Sequence, residues 1–371
     1  MRIGIDVRKL NDFGIGTYLR NLLEHLAKKD PKNNYILFCP SPPDSLDLPG
    51  PNFRKVVESA GKYSLQELIR LPLQMKYYKL DLFHAPHYTL PPLRPCNAVV
   101  TIHDLIHLRF PQYLPSPGAY YYAKLMMFLA TRSAQKIITV SQSSRKDIVA
   151  ALKIPPDKVE VIPNGLAPCF RPLTKTMEAR QLLSRFGITG RYLLYVGSFM
   201  AHKNLKRLLE AYNLLKDQQG LDHQLVLVGE GGKTKPELER WVHTKGWQHQ
   251  VILTGFVPTK WLPIFYSNAD VFVFPSLYEG FGFPPLEAMA CGAPVVVSNR
   301  SSLPEIVGDA GVLVNPESPE EIAQAIWLIL SDKNFQTQLV GRGLERARRF
   351  SWEEAAQKTL AVYQSVSAIR E

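Results

Sequence analysis

The sequence predicts an α/β protein built from two doubly wound, Rossmann-like domains in tandem. Its 371 residues exceed what one hydrophobic core usually fills, so two domains of ordinary size are expected. Short apolar runs alternate with amphipathic helical patterns, as in parallel strands joined by crossover helices. Turn-forming residues crowd together over residues 163–172, which places the division there.

Each half of the chain supplies its own set of strands. In the first half the expected strands are residues 2–7, 35–39, 82–84, 98–102, 136–140 and 159–162. In the second half they are residues 192–196, 224–228, 251–253, 271–274, 294–297 and 311–314. Residues 332–371 are expected to be helical, with a new helix capped by Ser351 in a capping box with Glu354. We therefore expect domains at residues 1–168 and 169–350, and a helix at 351–371 that packs back on the first domain.

The composition is that of a globular protein without a structural metal. With 46% hydrophobic and 21% charged residues, neither disorder nor low complexity is expected. The four cysteines stand far apart, and no Cys/His cluster has the spacing of metal ligands. No run of about 18 apolar residues is present, and the first residues lack the apolar region of a signal peptide. The expected location is therefore the cytoplasm.

The net charge of +11 is unevenly distributed along the chain. Residues 1–170 contain 22 Lys and Arg against 13 Asp and Glu, or +9, which leaves 22 against 20, or +2, for residues 171–371. A basic half of this kind can serve nucleic acid, an anionic membrane surface or a phosphorylated substrate. Composition alone does not choose between them.

The most informative stretch is residues 270–298, which has the pattern strand, loop, helix, strand. Its loop lies at the carboxyl end of a buried strand, where open α/β sheets bind ligands. Glu279 lies on this loop, and Glu287 lies in the first turn or so of the helix. Gly280 and Gly282 let backbone N–H groups approach an anion, and the helix N-terminus adds partial positive charge. A diphosphate suits this pocket, with Glu279 bonding sugar hydroxyls and Glu287 bonding ribose hydroxyls.

At these residues the chain resembles glycosyltransferase family 4, the retaining GT-B enzymes whose hallmark is two glutamates separated by seven residues. The matching string, EGFGFPPLE, runs from Glu279 to Glu287 and continues as AMACGAPVV. The resemblance extends through LPEIVGDAG at residues 303–311 and covers essentially the whole chain, most weakly over residues 40–95. It implies that the two domains face a cleft, with the donor held mainly by the second. Donor contacts are expected from the residues between the glutamates: Gly280, Phe281, Gly282 and Phe283.

A second strand end supplies the positive charge expected beside the leaving diphosphate. Residues 195–199, followed by His202, Lys203 and Asn204, have the pattern of strand, loop and helix start, with Asn204 as the N-cap. Lys203 would stabilise negative charge as the glycosidic bond breaks. The family often has arginine where this chain has Ser198, which leaves Lys203, backbone amides and His202 to neutralise the phosphates.

The first half is expected to supply His103, Gly14 and Gly16 to the donor. His103 follows a parallel strand and resembles the histidine that the family places beside the donor sugar, with a carbonyl or hydroxyl contact as its role. Gly14 and Gly16 lie where the first strand leads into the first helix, although Leu19 stands where a dinucleotide fingerprint has its third glycine. By resemblance this loop faces the donor, and Gly16 is the preferred contact. Three other histidines are expected to be structural: His84, His87 and His107.

Two further strand ends in the second half are expected to receive the nucleotide. Gly229 and Phe256 follow the strands at 224–228 and 251–253, where the family binds the base and ribose largely through backbone groups. Glycines at strand ends are also common for purely steric reasons. The side chains here therefore say little about which base is bound.

The resemblance implies a retaining, metal-independent hexosyltransferase that needs no cofactor besides its nucleoside-diphosphate sugar. Transfer to a hydroxyl acceptor, such as a glycolipid or polysaccharide precursor, is expected, and GDP-mannose is the first donor to test. No residue is nominated as a covalent nucleophile, which favours front-face attack by the acceptor. The alternatives are a sugar-nucleotide epimerase or a phosphorylase on the same fold. Nucleic acid is not expected as a partner, because no nucleic-acid-binding motif accompanies the basic half.

The basic half also predicts docking on an anionic membrane surface, at the inner face of the plasma membrane. In residues 62–79, Lys62, Arg70, Lys76 and Lys79 alternate with leucines, Ile69, Met75 and tyrosines. Pro72 is expected to divide this stretch into two short pieces. The alternative is an ordinary domain face with a solvated basic edge, because the same leucines could belong to the core.

Overall fold

The computed structural model describes residues 1–40, 47–61, 64, 66–114, 116–232 and 234–368. It divides into two compact units, one comprising Met1–Gly165 and Ser351–Glu371, the other Leu166–Phe350. Each unit has a parallel sheet and its own core. Among the described residues, every helix is too short or too polar to cross a bilayer.

The first unit contains a seven-stranded parallel sheet in the described part of the chain, in the order β3-β2-β1-β4-β5-β6-β7. Its strands are β1 Arg2–Asp6, β2 Asn34–Cys39, β3 Phe53–Val57, β4 Leu82–Ala85, β5 Asn97–Thr101, β6 Lys136–Thr139 and β7 Val159–Val161. The order reverses direction at β1, which is the arrangement of a doubly wound sheet.

β3, which lies at one edge of this sheet, was not predicted from the sequence. Phe53 and Val56 are buried, but Arg54 between them is exposed and Lys55 follows it. Edge strands tolerate such charges because one side has no partner strand. The two basic residues therefore interrupt the apolar pattern by which the strand would have been predicted.

Six helices of the described residues belong to the first unit: α1 Phe13–Lys29, α2 Glu67–Tyr77, α3 Ile106–Arg109, α4 Pro117–Ser133, α5 Gln142–Leu152 and α14 Trp352–Ser367. Buried residues of α2 and α4, among them Leu71 and Met126, share one core with Phe38 and Phe83 of the sheet. The hydroxyl of Tyr122 on α4 also donates to Glu67 Oε1 of α2 over 3.3 Å. The two helices are therefore neighbours on the same face of the sheet.

The expectation that Pro72 divides its segment is wrong, because α2 runs through it. Proline removes one backbone N–H and its intrahelical hydrogen bond. Leu71 and Met75 are fully buried on either side of Pro72, and their packing outweighs that loss.

The second unit contains a six-stranded parallel sheet among the described residues, in the order β10-β9-β8-β11-β12-β13. Its strands are β8 Tyr192–Val196, β9 Gln224–Val228, β10 Val251–Gly255, β11 Val271–Phe274, β12 Val295–Ser298 and β13 Gly311–Val314. Its helices are α6 Met177–Arg185, α7 Leu205–Gln219, α8 Lys235–Thr244, α9 Leu262–Asn268, α10 Phe283–Ala290, α11 Leu303–Val307, α12 Pro319–Ser331 and α13 Lys333–Ala347. The reversal at β8 places the loops after β8 and β11 side by side at the carboxyl edge.

The chain ends in two helices, α13 and α14, that are separated at Ser351 as expected. The Ser351 hydroxyl accepts the backbone N–H of Glu354, so the predicted cap is present. The Glu354 carboxylate pairs with Lys358 over 2.7 Å and does not accept the backbone N–H of Ser351, so the reciprocal half of the expected capping box is not formed. Within the first unit, α14 packs along α1.

Candidate functional site

The loops that follow β8 and β11 meet at an ion pair. The Nζ of Lys203 lies 2.6 Å from Oε1 of Glu279, and each side chain is 14% exposed. Lys203 Nζ also lies 5.3 Å from the centroid of the Phe274 ring, at cation–π distance. β8 and β11 are neighbouring parallel strands, so their carboxyl ends share one sheet edge and bring together residues 76 positions apart. The lysine and the carboxylate thus neutralise each other while both remain partly open to solvent.

Two serines hold the backbone of the loop that carries Glu279. The backbone N–H of Glu279 donates to Oγ of Ser301 over 2.9 Å. The Ser302 hydroxyl, which is fully buried, lies 3.0 Å from the carbonyl oxygen of Glu279 and 2.6 Å from that of Phe281. Neither serine was predicted from the sequence to have a role. These hydrogen bonds fix the backbone of the loop and so restrict where the carboxylate of Glu279 can lie.

Asn204 ties the start of α7 to the neighbouring loops. It occupies the cap position, but its side chain makes no cap hydrogen bond, and its backbone has a left-handed φ of +61°. The predicted cap position is therefore confirmed, but the side-chain hydrogen bond that usually accompanies it is not formed. Its Nδ2 donates instead to the carbonyl oxygens of Pro275 and Pro316, at 3.1 and 2.6 Å.

His202 does not supply the positive charge that the sequence analysis offered as an option. The residue is buried, and burial together with the charge of Lys203 lowers the pKa of its imidazole to about 4. The ring is therefore neutral near pH 7. Its carbonyl oxygen accepts the backbone N–H of Leu277 over 2.8 Å, which joins the loop after β8 to the loop after β11.

Glu287 lies in the second turn of α10 and is partly buried. The hydroxyl of Tyr266 on α9 donates to its Oε2 over 2.8 Å. Burial raises the pKa of Glu287 to about 7, and the hydrogen bond from Tyr266 opposes that rise. The carboxylate is therefore close to half-protonated at neutral pH. Tyr266 was not predicted from the sequence, because its contact with Glu287 depends on how α9 packs against α10.

Between the two glutamates the backbone turns tightly over an aromatic cluster. The buried Phe281 ring packs edge-on against Phe283 and Phe350, with centroids 5.3 and 5.8 Å apart. Gly282 precedes α10 with a φ of +121°, a conformation that side chains rarely adopt. Gly280, by contrast, takes no positive φ. Only one of the two glycines is thus required by backbone conformation.

The other predicted donor contacts of the second unit lie at the same sheet edge. Gly229 has a φ of +138°, and a Cβ there would lie 1.9 Å from the carbonyl oxygen of Gly197, so glycine is required for close approach of the two strand ends. Ser198 follows Gly197, and its carbonyl accepts the hydroxyl of Tyr195 over 2.9 Å. Phe256 follows β10 and is 57% exposed, which leaves its ring available for stacking.

The predicted residues of the first unit lie at the carboxyl ends of β5 and β1. His103 Nε2 is 3.1 Å from the carbonyl oxygen of Pro86, so this nitrogen is the donor, and the ring packs edge-on to Tyr18. Burial lowers the pKa of His103 to about 4, which leaves a neutral ring whose Nδ1 can only accept a hydrogen bond. A hydroxyl is the group that suits such an acceptor.

Gly14 and Gly16 both lie in the first turn of α1, but they differ in their surroundings. A Cβ on Gly16 would lie 2.1 Å from the carbonyl oxygen of Leu10, so packing within the unit explains this glycine. A Cβ on Gly14 would meet no atom within 4 Å. Contact of either residue with a donor stays a prediction.

The described residues contain no group of three or more Asp, Glu, His or Cys placed to hold a metal ion.

His84, expected to be structural, is fully buried between the hydroxyls of Tyr363 and Thr101, at 2.6 and 2.7 Å. Its ring nitrogens are thus both occupied within the first unit.

Both units match families of known proteins. The family model of glycosyl transferases group 1 matches residues 185–346, and that of glycosyltransferase family 4 matches residues 14–168. The O-antigen chain mannosyltransferase B of Escherichia coli is 35% identical over 310 residues, which are 81% of this chain and 78% of that protein. The serotype-specific mannosyltransferase WbdA of Escherichia coli is 32% identical over 271 residues, or 71% of this chain and 32% of that longer protein.

Among solved structures, sucrose-phosphate synthase from Thermosynechococcus elongatus has the same fold. Its TM-score is 0.81 at 24% identity, and the match covers 100% of both chains. The predicted α/β fold with two Rossmann-like domains is thereby confirmed.

Proposed function

This chain belongs to the glycosyltransferases of group 1 and family 4, and on that premise we propose that it transfers mannose from a nucleoside-diphosphate sugar to a hydroxyl acceptor. The proposed transfer is metal-independent and retains the anomeric configuration. The observation that carries the proposal is the Lys203–Glu279 pair at the carboxyl ends of β8 and β11. Mannose, with a GDP donor to be tested first, is favoured because one similar protein is named an O-antigen chain mannosyltransferase and another a serotype-specific mannosyltransferase. Nothing in the comparisons supports the epimerase or phosphorylase alternative.

Each charged group of the second unit has a distinct part in this reaction. The diphosphate of the donor would draw Lys203 away from Glu279, because a diphosphate carries more negative charge than one carboxylate. The released carboxylate of Glu279 would then accept hydrogen bonds from sugar hydroxyls, and that of Glu287 would accept them from the ribose. As the bond from the anomeric carbon to the diphosphate breaks, Lys203 would stabilise the negative charge that the leaving group gains.

Retention follows if the acceptor attacks from the face that the diphosphate leaves. The acceptor oxygen forms the new bond to the anomeric carbon, and its proton passes to an oxygen of the departing phosphate. The neutral, acceptor-only Nδ1 of His103 suits a hydrogen bond from a sugar hydroxyl and not a proton transfer. NMR of the first-formed product tests this step, and a product with inverted anomeric configuration would rule it out.

The test of the site assignment is a comparison of two glutamate variants. Glu279→Gln should chiefly lower kcat, because its contact strengthens as the sugar gains positive charge, whereas Glu287→Ala should chiefly raise the donor KM. The matched control is Glu239→Gln, because Glu239 forms an exposed ion pair with Lys235 on α8. It should leave both kcat and KM unchanged. Near-native kinetics in both site variants would refute the assignment.

We further propose that the first unit docks on an anionic membrane, where a lipid-linked acceptor would be found. α2 and α4, which are neighbours on one face of the sheet, present exposed apolar side chains. This α2–α4 face consists of Ile69, Leu73 and Tyr77 on α2 and Tyr121, Leu125 and Phe128 on α4, each between 46% and 79% exposed. Several exposed apolar side chains on neighbouring helices are the kind of feature that marks an interaction surface.

The described part of the predicted docking segment divides between core and surface. Leu71 and Met75 are buried, as the alternative of an ordinary domain face expects, whereas Leu73 and Tyr77 are exposed. Lys62 lies outside the described residues. The apolar face and the +9 balance of residues 1–170 together favour an anionic lipid surface over a neutral protein partner.

A further inference from the structure

The first unit has a pocket of about 490 Å³ that lies away from all the residues discussed for catalysis. It is formed at the amino ends of β1, β2 and β3 and is closed by the residues at the end of α2. Ligand sites of doubly wound sheets usually lie at the opposite, carboxyl edge. The proposed glycosyl transfer therefore does not account for this pocket.

Three basic side chains line this pocket, those of Arg2, Arg54 and Lys79. Over the residues that the structure describes, none of the three forms an ion pair. The carboxylate of Asp81 accepts the backbone N–H of Arg2 over 2.7 Å, and that of Asp30 is bonded by Tyr35, Asn33 and backbone amides. Three cations that form no ion pair among the described residues, set around one concave surface, favour a positive potential inside it.

The strand register explains why these cations point the same way. Residues paired across parallel strands lie on the same face, and Arg2 pairs with Asn34 while Ile36 pairs with Arg54. Ile36 belongs to the core that contains Leu71 of α2, so this is the face that α2 covers. The end of α2 therefore closes the pocket over the two arginines.

Aromatic rings form the wall opposite the strands. The guanidinium carbon of Arg54 lies 5.7 Å from the centroid of the Tyr78 ring, which orients the arginine by a cation–π contact. Tyr77 packs edge-on against Tyr78 and is 79% exposed. These rings offer an apolar surface to the body of a ligand whose charge the cations hold.

We infer that this pocket binds a phosphate ester. The forked N–H donors of two arginines and the ammonium group of one lysine match the oxygens of a phosphate, and the tyrosines cover the organic group that it esterifies. The volume falls within the range of small-molecule sites, about 300–1,000 Å³. The phosphate could belong to the headgroup of an anionic phospholipid or to a free phosphorylated metabolite, which are the same chemistry from two sources.

The experiment places fluorotyrosine at position 77 of the full chain and follows its fluorine NMR signal, with a nucleoside diphosphate present to occupy the donor site. Glycerol phosphate is titrated, with glycerol as the uncharged control, and then vesicles of phosphatidylglycerol in phosphatidylcholine are compared with phosphatidylcholine alone. The double variant Arg54→Ala with Lys79→Ala should weaken binding by roughly 10- to 100-fold, as expected for lost charge-assisted hydrogen bonds. Lys245→Ala is the matched control, because this exposed lysine also lies over tryptophan rings, in the second unit, and it should change nothing.

Saturable shifts with glycerol phosphate that the double variant weakens would support a site for free phosphate esters. Shifts only with anionic vesicles, again weakened by the double variant, would support a headgroup site. No shift with either probe, or equal shifts in the double variant, would overturn the proposal. Arg54 and Lys79 are exposed, so the double variant is expected to fold, and an unchanged thermal midpoint verifies this.

Discussion

Among the described residues, Glu279 forms its ion pair with Lys203, and this pair has one role in the free protein and another when the donor binds. In the free protein it keeps two partly buried charges compensated. When a diphosphate arrives, the lysine is already at the sheet edge and needs only to exchange partners. The pair thus pre-positions a charge that acts in the transition state.

We predict that Lys203→Ala lowers kcat by about a hundredfold or more, as loss of one well-placed electrostatic stabiliser commonly does. Steady-state kinetics with a saturating donor measures this. Lys206→Ala, an exposed lysine three positions along the chain, is the control and should be fully active. If a folded Lys203→Ala protein kept native kcat, the charge on the leaving group would have to be neutralised elsewhere.

The raised pKa of Glu287 predicts a pH dependence of donor binding. Ribose hydroxyls are best accepted by the ionised carboxylate, and burial holds the pKa of this group at about 7. The donor KM should therefore rise as pH falls from 8 to 6, up to tenfold per pH unit below the pKa. Glu287→Gln should bind the donor more weakly, with a higher KM that does not change with pH over this range. A wild-type KM that does not change with pH would contradict the prediction.

The same residue predicts a pH dependence of stability with a definite sign. Because the pKa of Glu287 is higher in the folded state than its ordinary 4.5, the folded state binds more protons between pH 4.5 and about 7. Its unfavourable contribution therefore grows as pH rises through this window and is full above it. The thermal midpoint of Glu287→Gln, measured relative to wild type, should be higher at pH 8 than at pH 5.

At the scale of elements, Asn204 shows how the start of α7 is secured. Its left-handed backbone suits asparagine better than most residues, and its Nδ2 bonds two carbonyl groups on other loops. These two hydrogen bonds stabilise the start of α7 in place of a local capping hydrogen bond. The element is thus held by contacts that are distant in sequence.

We predict that Asn204→Ala destabilises the second unit by about 2 kcal/mol, from two lost hydrogen bonds. Asn204→Gly should destabilise the unit by about 1 kcal/mol less than Asn204→Ala, because glycine adopts the left-handed conformation without strain. Urea unfolding followed by tryptophan fluorescence measures this, since Trp241 and Trp247 lie in the second unit. The control is Asn213→Ala, which removes one solvent-exposed hydrogen bond from half-buried Asn213 to Asp217 on α7 and should change stability by less than about 0.5 kcal/mol. Equal stabilities of Asn204→Ala and wild type would contradict the bridging role.

Two elements show where reasoning from sequence reached its limit. β3 was missed because its alternation is broken by Arg54 and Lys55 at a sheet edge. α2 was expected to break at Pro72, whereas burial of Leu71 and Met75 keeps it whole. In both cases a local signal was overruled by packing against the sheet.

At the scale of the molecule, the positive charge and the α2–α4 face belong to the same unit. Basic residues near an anionic surface contribute about 1 kcal/mol each, and apolar side chains that enter the interface add to this. We predict that the protein sediments with anionic vesicles at low salt and is released as salt is raised. Lys76→Glu and Leu73→Asp should each weaken this binding.

The matched control for Leu73→Asp is Leu328→Asp, which changes an exposed leucine of α12 in the second unit and should leave vesicle binding unchanged. Circular dichroism verifies that each variant is folded. Failure to bind anionic vesicles at low salt, or binding unaffected by Lys76→Glu and Leu73→Asp, would refute docking.

The sequence by itself determined the alternation of strands and helices and the strand–loop–helix unit from Glu279 to Glu287, because both depend on neighbours along the chain. Only the tertiary structure decided that Lys203 pairs with Glu279 and that Tyr266 donates to Glu287. It also decided that Leu71 is buried while Leu73 is exposed. The reason is physical: charge compensation, pKa and burial depend on which elements share a sheet edge or a sheet face, and that is settled by the packing of the whole unit.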